Sequence, residues 1–171
     1  MIVGFSGGLG SGKTIGMVRY LFKDHANGNK VFANFGLRNI DFEYLNVPEI
    51  MNDSTLNSMS VGIDEITVFL DCRKSSSKMN RYISYFILQT RKRNVNLYYT
   101  TQDFGMVDLR LINHTHFQIL CNDTSEEYIK KYTIMDFRNP QKPRLKRFFL
   151  DISKYFDYYD TNEVILPPVL S

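Results

Sequence analysis

The chain has 171 residues, 43% hydrophobic and 23% charged, enough for one globular unit that buries roughly 70% of its unfolded-chain surface. Aromatic residues at 14% exclude disorder as the main state; two isolated cysteines, Cys72 and Cys121, exclude a disulfide scaffold and fit a reducing compartment. A net charge of +3 is too small to argue for nucleic acid, so any such case rests on how the charge is distributed.

Ile2–Ser6 is a short apolar run ending in glycines, the pattern of a buried strand. Ile15, Val18, Leu21 and Phe22 recur at helical spacing and predict a helix over Thr14–Phe22. After the Asn27-Gly28-Asn29 turn, Lys30–Phe35 reads as a second strand. Residues Gly36 to Ser58 read as loop, with a short helix near Pro48–Met51, and Met59–Asp64 as a third strand. Ile66–Asp71 is helical or irregular, and Arg73–Ser77 is a polar loop. Tyr82, Ile83, Phe86 and Ile87 mark an amphipathic helix over Met79–Arg93. Val95–Thr101 is a fourth strand, Val107–Asn113 a short helix and Thr115–Cys121 a fifth strand. This alternation predicts an α/β domain with a mainly parallel sheet. Lys131–Phe137 and Arg144–Ile152, joined by the turn sequence Asn139–Pro143, predict an appended C-terminal β-hairpin. The aromatic tail Tyr155–Tyr159 and Pro167-Pro168 are expected to fold back on the body. No run approaches the roughly 18 to 20 apolar residues of a membrane helix. The N-terminus has neither a basic n-region nor a cleavage site, so a cytoplasmic protein is expected.

Gly7-Gly8-Leu9-Gly10-Ser11-Gly12-Lys13-Thr14 fits G-x-x-x-x-G-K-S/T without departure, between a strand and a helix. Glycines let the backbone curl so that successive N–H groups point at phosphate oxygens, and the helix N-terminus adds partial positive charge. The cradle is Gly8, Gly10, Ser11, Gly12, Lys13, Thr14 and Ile15; Lys13 reaches the β- and γ-phosphates of ATP, and the Thr14 hydroxyl ligates Mg²⁺. No G-x-G-x-x-G occurs, which excludes a dinucleotide fingerprint. The strand Val61-Gly62-Ile63 ends in Asp64-Glu65. Asp64 is the second metal residue, and Glu65 is placed to polarise a water for attack on the γ-phosphate. Gln102, after Thr100-Thr101, is positioned to sense that phosphate; the plainer reading is a turn residue closing the strand.

Together these motifs resemble the additional-strand, catalytic-glutamate class of P-loop ATPases, and within it the FtsK–HerA superfamily. The similar branches are the zonular occludens toxin-like ATPases of filamentous phages and the genome-packaging ATPases of membrane-containing viruses. The segment Gln89–Leu97, Asp108-Leu109-Arg110 and Tyr158-Tyr159-Asp160-Thr161 add to the resemblance. It implies one ATPase domain over 1–171, with a nucleotide-binding core over 1–121 and a hairpin and tail over 122–171. It also implies a sheet of order 5-1-4-3-2 and a homo-oligomer, often a hexameric ring around DNA. The toxin-like proteins carry a membrane helix and a periplasmic part after the ATPase. This sequence shows neither, so the expectation is a soluble motor for viral or mobile-element genome packaging, in the host cytoplasm if viral.

From Cys72 to Gln102 there is no Asp or Glu, while Arg73, Lys74, Lys78, Arg81, Arg91, Lys92 and Arg93 are basic. A second cluster, Arg138, Lys142, Arg144, Lys146 and Arg147, falls on the hairpin. Both suit salt-dependent contact with single- or double-stranded DNA, and both are also what a solvated basic face looks like. The loop Arg73–Lys78 is the preferred DNA contact. A ring needs a cation reaching the neighbour's γ-phosphate. Arg110 is the first candidate, ahead of Arg91 and Arg93, and each can equally serve an intrachain ion pair. His114-x-His116 would share a strand face but lacks a third ligand at metal spacing. The tail aromatics read as packing, although one of them could cover an adenine. Two other functions stay open: a small-molecule kinase with Arg138–Arg147 as lid, and a nucleotide-switched assembly protein working with a capsid or membrane-embedded partner.

Overall fold

The computed structural model describes residues 1–45, 57–68, 78–139 and 141–159, with backbone only for 78–83. The strands are β1 (Ile2–Ser6), β2 (Lys30–Ala33), β3 (Glu43–Tyr44), β4 (Met59–Ile63), β5 (Asn96–Thr101), β6 (Phe117–Asp123), β7 (Ile129–Asp136) and β8 (Arg144–Asp151). They form one sheet of order β3-β2-β4-β5-β1-β6-β7-β8. The five predicted parallel strands take the expected 5-1-4-3-2 arrangement, with β1 between β5 and β6. The hairpin β7–β8 continues the sheet antiparallel from β6.

Helices cover both faces, and strand alternation decides what each one buries. On one face α1 (Lys13–Ala26) packs Met17, Val18 and Leu21 against Val3, Phe5 and Tyr98. On the other, Phe86 and Ile87 of α2 (Lys78–Gln89) and Leu111 of α3 (Leu109–His114) meet Ile2, Val61, Ile63, Leu97 and Tyr99. Each of these large apolar side chains contributes about 1.5–3 kcal/mol by leaving water.

Several boundaries differ from expectation for local reasons. The predicted helix over Thr14–Phe22 continues to Ala26, because the polar Lys23, Asp24 and His25 end the apolar stripe without breaking the helix. The predicted helix over Met79–Arg93 stops at Gln89: Thr90 Oγ1 donates to Ile87 O at 2.8 Å, and Asn94 turns left-handed at φ 51°. The strand expected over Thr115–Cys121 runs Phe117–Asp123, since Thr115 instead caps α3 and its Oγ1 donates to Leu111 O at 2.8 Å. The short strand β3 lies in the stretch read as loop. The tail folds back as expected: a 3-10 helix over Ile152–Tyr158 crosses α1, where the Phe22 and Tyr158 rings are 4.3 Å apart, and Tyr159 bridges to Leu37. The readings at Pro48–Met51, Arg73–Ser77, Asp160-Thr161 and Pro167-Pro168 lie outside the described residues. No helix among the described residues is long and apolar enough to cross a membrane.

Asp24, near the end of α1, fastens the helix to the sheet. Its Oδ2 accepts from Ser60 Oγ at 2.6 Å, Tyr98 OH at 2.7 Å and Asn96 Nδ2 at 2.8 Å, joining α1 to β4 and β5. Replacing it strands three donors, two of them on buried residues. Asp24→Ala should cost about 2–4 kcal/mol in a urea unfolding midpoint at unchanged slope, because unmet buried partners cost more than the bonds gained.

Candidate functional site

The loop from Gly7 to Lys13 leaves the C-terminal end of β1 and curls into the start of α1. Two residues require left-handed backbone, Gly10 at φ 72° and Gly12 at φ 82°, and Gly12 is the N-cap of α1. Gly12 is doubly constrained, since a Cβ there would fall 2.9 Å from the Tyr132 hydroxyl. The loop holds itself in shape: the Gly8 carbonyl accepts from Ser11 Oγ at 2.8 Å and from Lys13 Nζ at 2.9 Å. Lys13 is thus buried with its ammonium folded onto the loop, within which an anion can exchange for the carbonyl. Ile15, in the first turn of α1, is buried, and Leu9 at the loop tip is 82% exposed.

Asp64 and Glu65 follow β4. Asp64 Oδ1 accepts from Thr14 Oγ1 at 3.0 Å and from Thr100 Oγ1 at 2.5 Å. Thr100 Oγ1 in turn accepts from the Glu65 N–H at 2.8 Å. On the other side, the Asn34 side-chain amide pairs with the Asp64 backbone: Asp64 N donates to Asn34 Oδ1 at 2.7 Å, and Asn34 Nδ2 donates to Asp64 O at 2.9 Å. Neighbouring strands therefore clamp this turn from both flanks, and Glu65 is held left-handed at φ 50°, a conformation that costs a non-glycine residue about 1 kcal/mol or more. Burial raises the Asp64 carboxyl, opposed by its bonds from Thr100 and Thr14 and by the charge of Lys13. Glu65 is also raised, first by burial, then by the Asp64 charge, with Lys13 opposing. The hydroxyl of Thr14 and the carboxylate of Asp64 are the hard oxygen donors that Mg²⁺ takes, and they converge beside the phosphate loop, so the donor set fits that ion.

The remaining predicted residues fall as follows. Gln102 is exposed at the end of β5, beside β1, where its carbonyl accepts from Ser6 Oγ at 3.0 Å. Arg110 opens α3 and is held in its own chain: Nε and Nη2 reach Asp108 Oδ1 and Oδ2 at 2.8 and 2.6 Å. Arg91 and Arg93 lie in the turn before β5, at the opposite end of the sheet from the phosphate loop. The two histidines do not share a strand face: His114 ends α3 with Nδ1 2.7 Å from Arg110 O, while His116 Nδ1 accepts from Ile2 N at 3.0 Å. Among the described residues no group of three or more His, Cys, Asp and Glu side chains is gathered to hold a metal. Cys121 is buried, which pushes its thiol up to about 12 and leaves it a packing residue.

Sequence reasoning missed the residues that hold the site in place. Asn34 had a signal, a polar amide interrupting the apolar run Val31-Phe32-Ala33-Asn34-Phe35. Tyr132 on β7 had none: it is fully buried, stacks on Phe148 at 5.0 Å, and its hydroxyl donates to Gly12 O at 2.7 Å. The appended hairpin thereby braces the phosphate loop. Lys130, two residues earlier on β7, lays its stem beside Gly12 and pairs its ammonium with Asp123 at 2.6 Å.

No protein-family model and no curated protein matches this chain. Solved structures do. The N-terminal domain of zonular occludens toxin from Neisseria meningitidis is 19% identical with a TM-score of 0.68, over 93% of this chain and 98% of that one. The genome-packaging NTPase B204 of Sulfolobus turreted icosahedral virus 2, in complex with AMPPCP, is 13% identical with a TM-score of 0.58, over 84% and 95%. B204 described as the DNA-packaging ATPase of Sulfolobus turreted icosahedral virus is 13% identical with a TM-score of 0.59, over 84% and 95%. The likeness is one of fold, and that fold is the P-loop NTPase α/β sheet, as the resemblance in the sequence implied.

Two measurements check this geometry. In a carboxyl NMR titration Glu65 should inflect above its ordinary 4.5, and Lys13→Ala should move it higher, because the one opposing positive charge is gone. Tyr132→Phe should lower stability by about 1 kcal/mol and speed amide exchange at Gly12 and Lys13, since the loop loses its brace while the helix bond from Gly16 N to Gly12 O remains.

Proposed function

We propose that this chain binds and hydrolyses ATP with Mg²⁺ and couples hydrolysis to DNA movement in viral or mobile-element genome packaging or virion morphogenesis. The observation that carries the reading is the convergence of the phosphate loop, the Thr14–Asp64–Thr100 hydrogen bonds and Glu65 on one end of the sheet. Lys13 turns from Gly8 O to the β- and γ-phosphates, and the backbone of Gly8, Gly10, Ser11, Gly12, Thr14 and Ile15 supplies the cradle. Thr14 and Asp64 would hold Mg²⁺, which would supply charge neutralisation for the phosphate oxygens. Glu65 takes the proton of the attacking water, and its raised affinity for protons suits it to that role. Gln102 reads the γ-phosphate from β5.

Charge distribution supports the DNA part. In this sheet every parallel strand finishes at the end that carries the phosphate loop, and there Asp64, Glu65 and Asp103 lie with Asp108, paired to Arg110, and Asp123, paired to Lys130. The opposite end carries Arg91, Lys92, Arg138, Lys142, Arg144 and Lys146, all exposed apart from any partner they meet locally; Arg138 is tied to Asp136 at 2.7 Å. A phosphate backbone fits that end. The similar B204 structures are of a genome-packaging NTPase and a DNA-packaging ATPase, which agrees with this reading. The homo-oligomeric ring with Arg110 as the residue reaching a neighbour stays part of the proposal. The Arg110–Asp108 pairing favours a second reading, a nucleotide-switched assembly protein whose Arg110 never leaves its own chain.

Turnover assays decide. Lys13→Ala should abolish ATP binding. Glu65→Gln should keep binding and reduce hydrolysis roughly 10²-fold or more. DNA should stimulate the wild type with a steep salt dependence, and Arg144→Glu with Lys146→Glu should remove the stimulation while basal turnover stays. Unchanged turnover in both site variants would refute the ATPase reading; absent DNA stimulation would favour the switch.

A further inference from the structure

The phosphate loop has two unlike flanks. Toward β4 and β5 lie Thr14, Asp64 and Thr100, the metal and water side. Toward β6 and β7 the loop runs against a wall: a Cβ on Gly7 would strike the Cys121 carbonyl, and one on Gly12 would fall 3.1 Å from Lys130 Cγ. A triphosphate whose terminal phosphates face the metal side must send its other end along this second flank or outward past it.

That flank ends in two aromatic rings that packing does not explain. Tyr128, in the turn before β7, and Phe156, in the 3-10 helix after β8, meet edge to face with centroids 5.8 Å apart. They remain 47% and 41% exposed. Other rings of the tail behave differently: Tyr158 lies on Phe22 and Tyr159 on Phe35. The two segments are locked at this height, since Ile152 N donates to Tyr128 O at 2.8 Å. Tyr128 also stands two residues before Lys130, on the strand whose next residue of the same face, Tyr132, bonds Gly12. The pair is therefore on the sheet end and face that carry the loop, its two segments joined to each other by the Ile152–Tyr128 hydrogen bond.

We propose that Tyr128 and Phe156 form the seat for the nucleobase of the bound nucleoside triphosphate, the base stacking on one ring and abutting the edge of the other. The proposal rests on the nucleotide reading of the phosphate loop. Its physics is face-to-ring stacking, which every base offers and an inorganic phosphate chain does not. The Lys130 stem forms the step between loop and seat, and Asp123 holds its ammonium in place.

The test is titration calorimetry of the full chain with Mg-ATP and with Mg-tripolyphosphate, which shares the phosphates and lacks the base. Wild type should bind ATP more tightly than tripolyphosphate. Tyr128→Ala and Phe156→Ala should each weaken ATP roughly 5- to 100-fold and leave tripolyphosphate unchanged. Phe156→Tyr should keep wild-type affinity for ATP, which separates lost stacking from lost folding. ATP affinity unmoved by both alanines, or ATP and tripolyphosphate weakened together, overturns the seat. Wild type that binds neither probe overturns the nucleotide reading itself, a distinct failure.

Discussion

One carboxylate oxygen organises this molecule. Asp64 Oδ1 accepts from Thr14 on α1 and from Thr100 on β5, and the backbone of the same residue is paired with Asn34 at the end of β2. Three elements distant in sequence meet at a single residue. Burial works against its charge, and the groups that stabilise that charge, Thr100, Thr14 and Lys13, include the two phosphate-loop side chains. Electrostatics and geometry are therefore one problem here: the Thr14 hydroxyl is already directed at the acid, and the Lys13 ammonium, bonded to Gly8 O, is near enough to favour its charge. Glu65 inherits its position from the same arrangement, because Thr100 spends its hydroxyl proton on Asp64 and its lone pair on the Glu65 N–H.

The helix behind the loop is fixed at several points along its length. Thr14 ties its first turn to Asp64, Asp24 ties its last turns to β4 and β5, and Tyr132 holds the N-cap carbonyl from the side. The tail completes the cage: from the β8 edge it crosses α1 at Phe22, and the Arg38 N–H donates to Tyr158 O at 2.8 Å beyond β2. A loop that must keep its N–H groups aimed at anions gains from such fixing, since pre-aimed dipoles need no reorganisation when charge arrives.

The parts legible in the sequence were those governed by local pattern. Gly10 and Gly12 are where the backbone turns left-handed and Asp64-Glu65 closes a strand, β4, separated from β1 by β5; the order of the five parallel strands is the one the family resemblance implied. What was not legible depends on pairs far apart in the chain. Tyr132 and Gly12 are 120 residues apart, Asp24 and Tyr98 are 74 apart, and no spacing rule connects them. Histidine was misplaced for a related reason: alternation put His114 and His116 on one strand face, but a tertiary bond from Ile2 N to His116 claims that segment before the strand begins. Arg110 shows the reverse case, a motif residue whose nearest partner, Asp108, was in view in the sequence and was read as part of a family pattern instead of as its ion-pair acceptor.

The polarity of a parallel sheet also sorts the charged side chains of this chain between its two ends. All parallel strands finish at the same end, so the turns that follow them collect there, and with them Asp64, Glu65 and Asp103, together with Asp108 paired to Arg110 and Asp123 paired to Lys130. On the proposed reading a compact phosphate chain enters this end, because Lys13 and the N–H groups at the start of α1 act at short range within the loop. The hairpin reverses direction and returns its turn to the other end, delivering Arg138, Lys142, Arg144 and Lys146 to the place where no carboxylate is needed for chemistry. The same β7 strand that ends in this basic turn begins at Lys130 and Tyr132 beside the phosphate loop. One strand thus joins the basic turn to the residue whose hydroxyl holds the Gly12 carbonyl, and it is the covalent route by which the proposed DNA contact and the proposed phosphate site would be coupled.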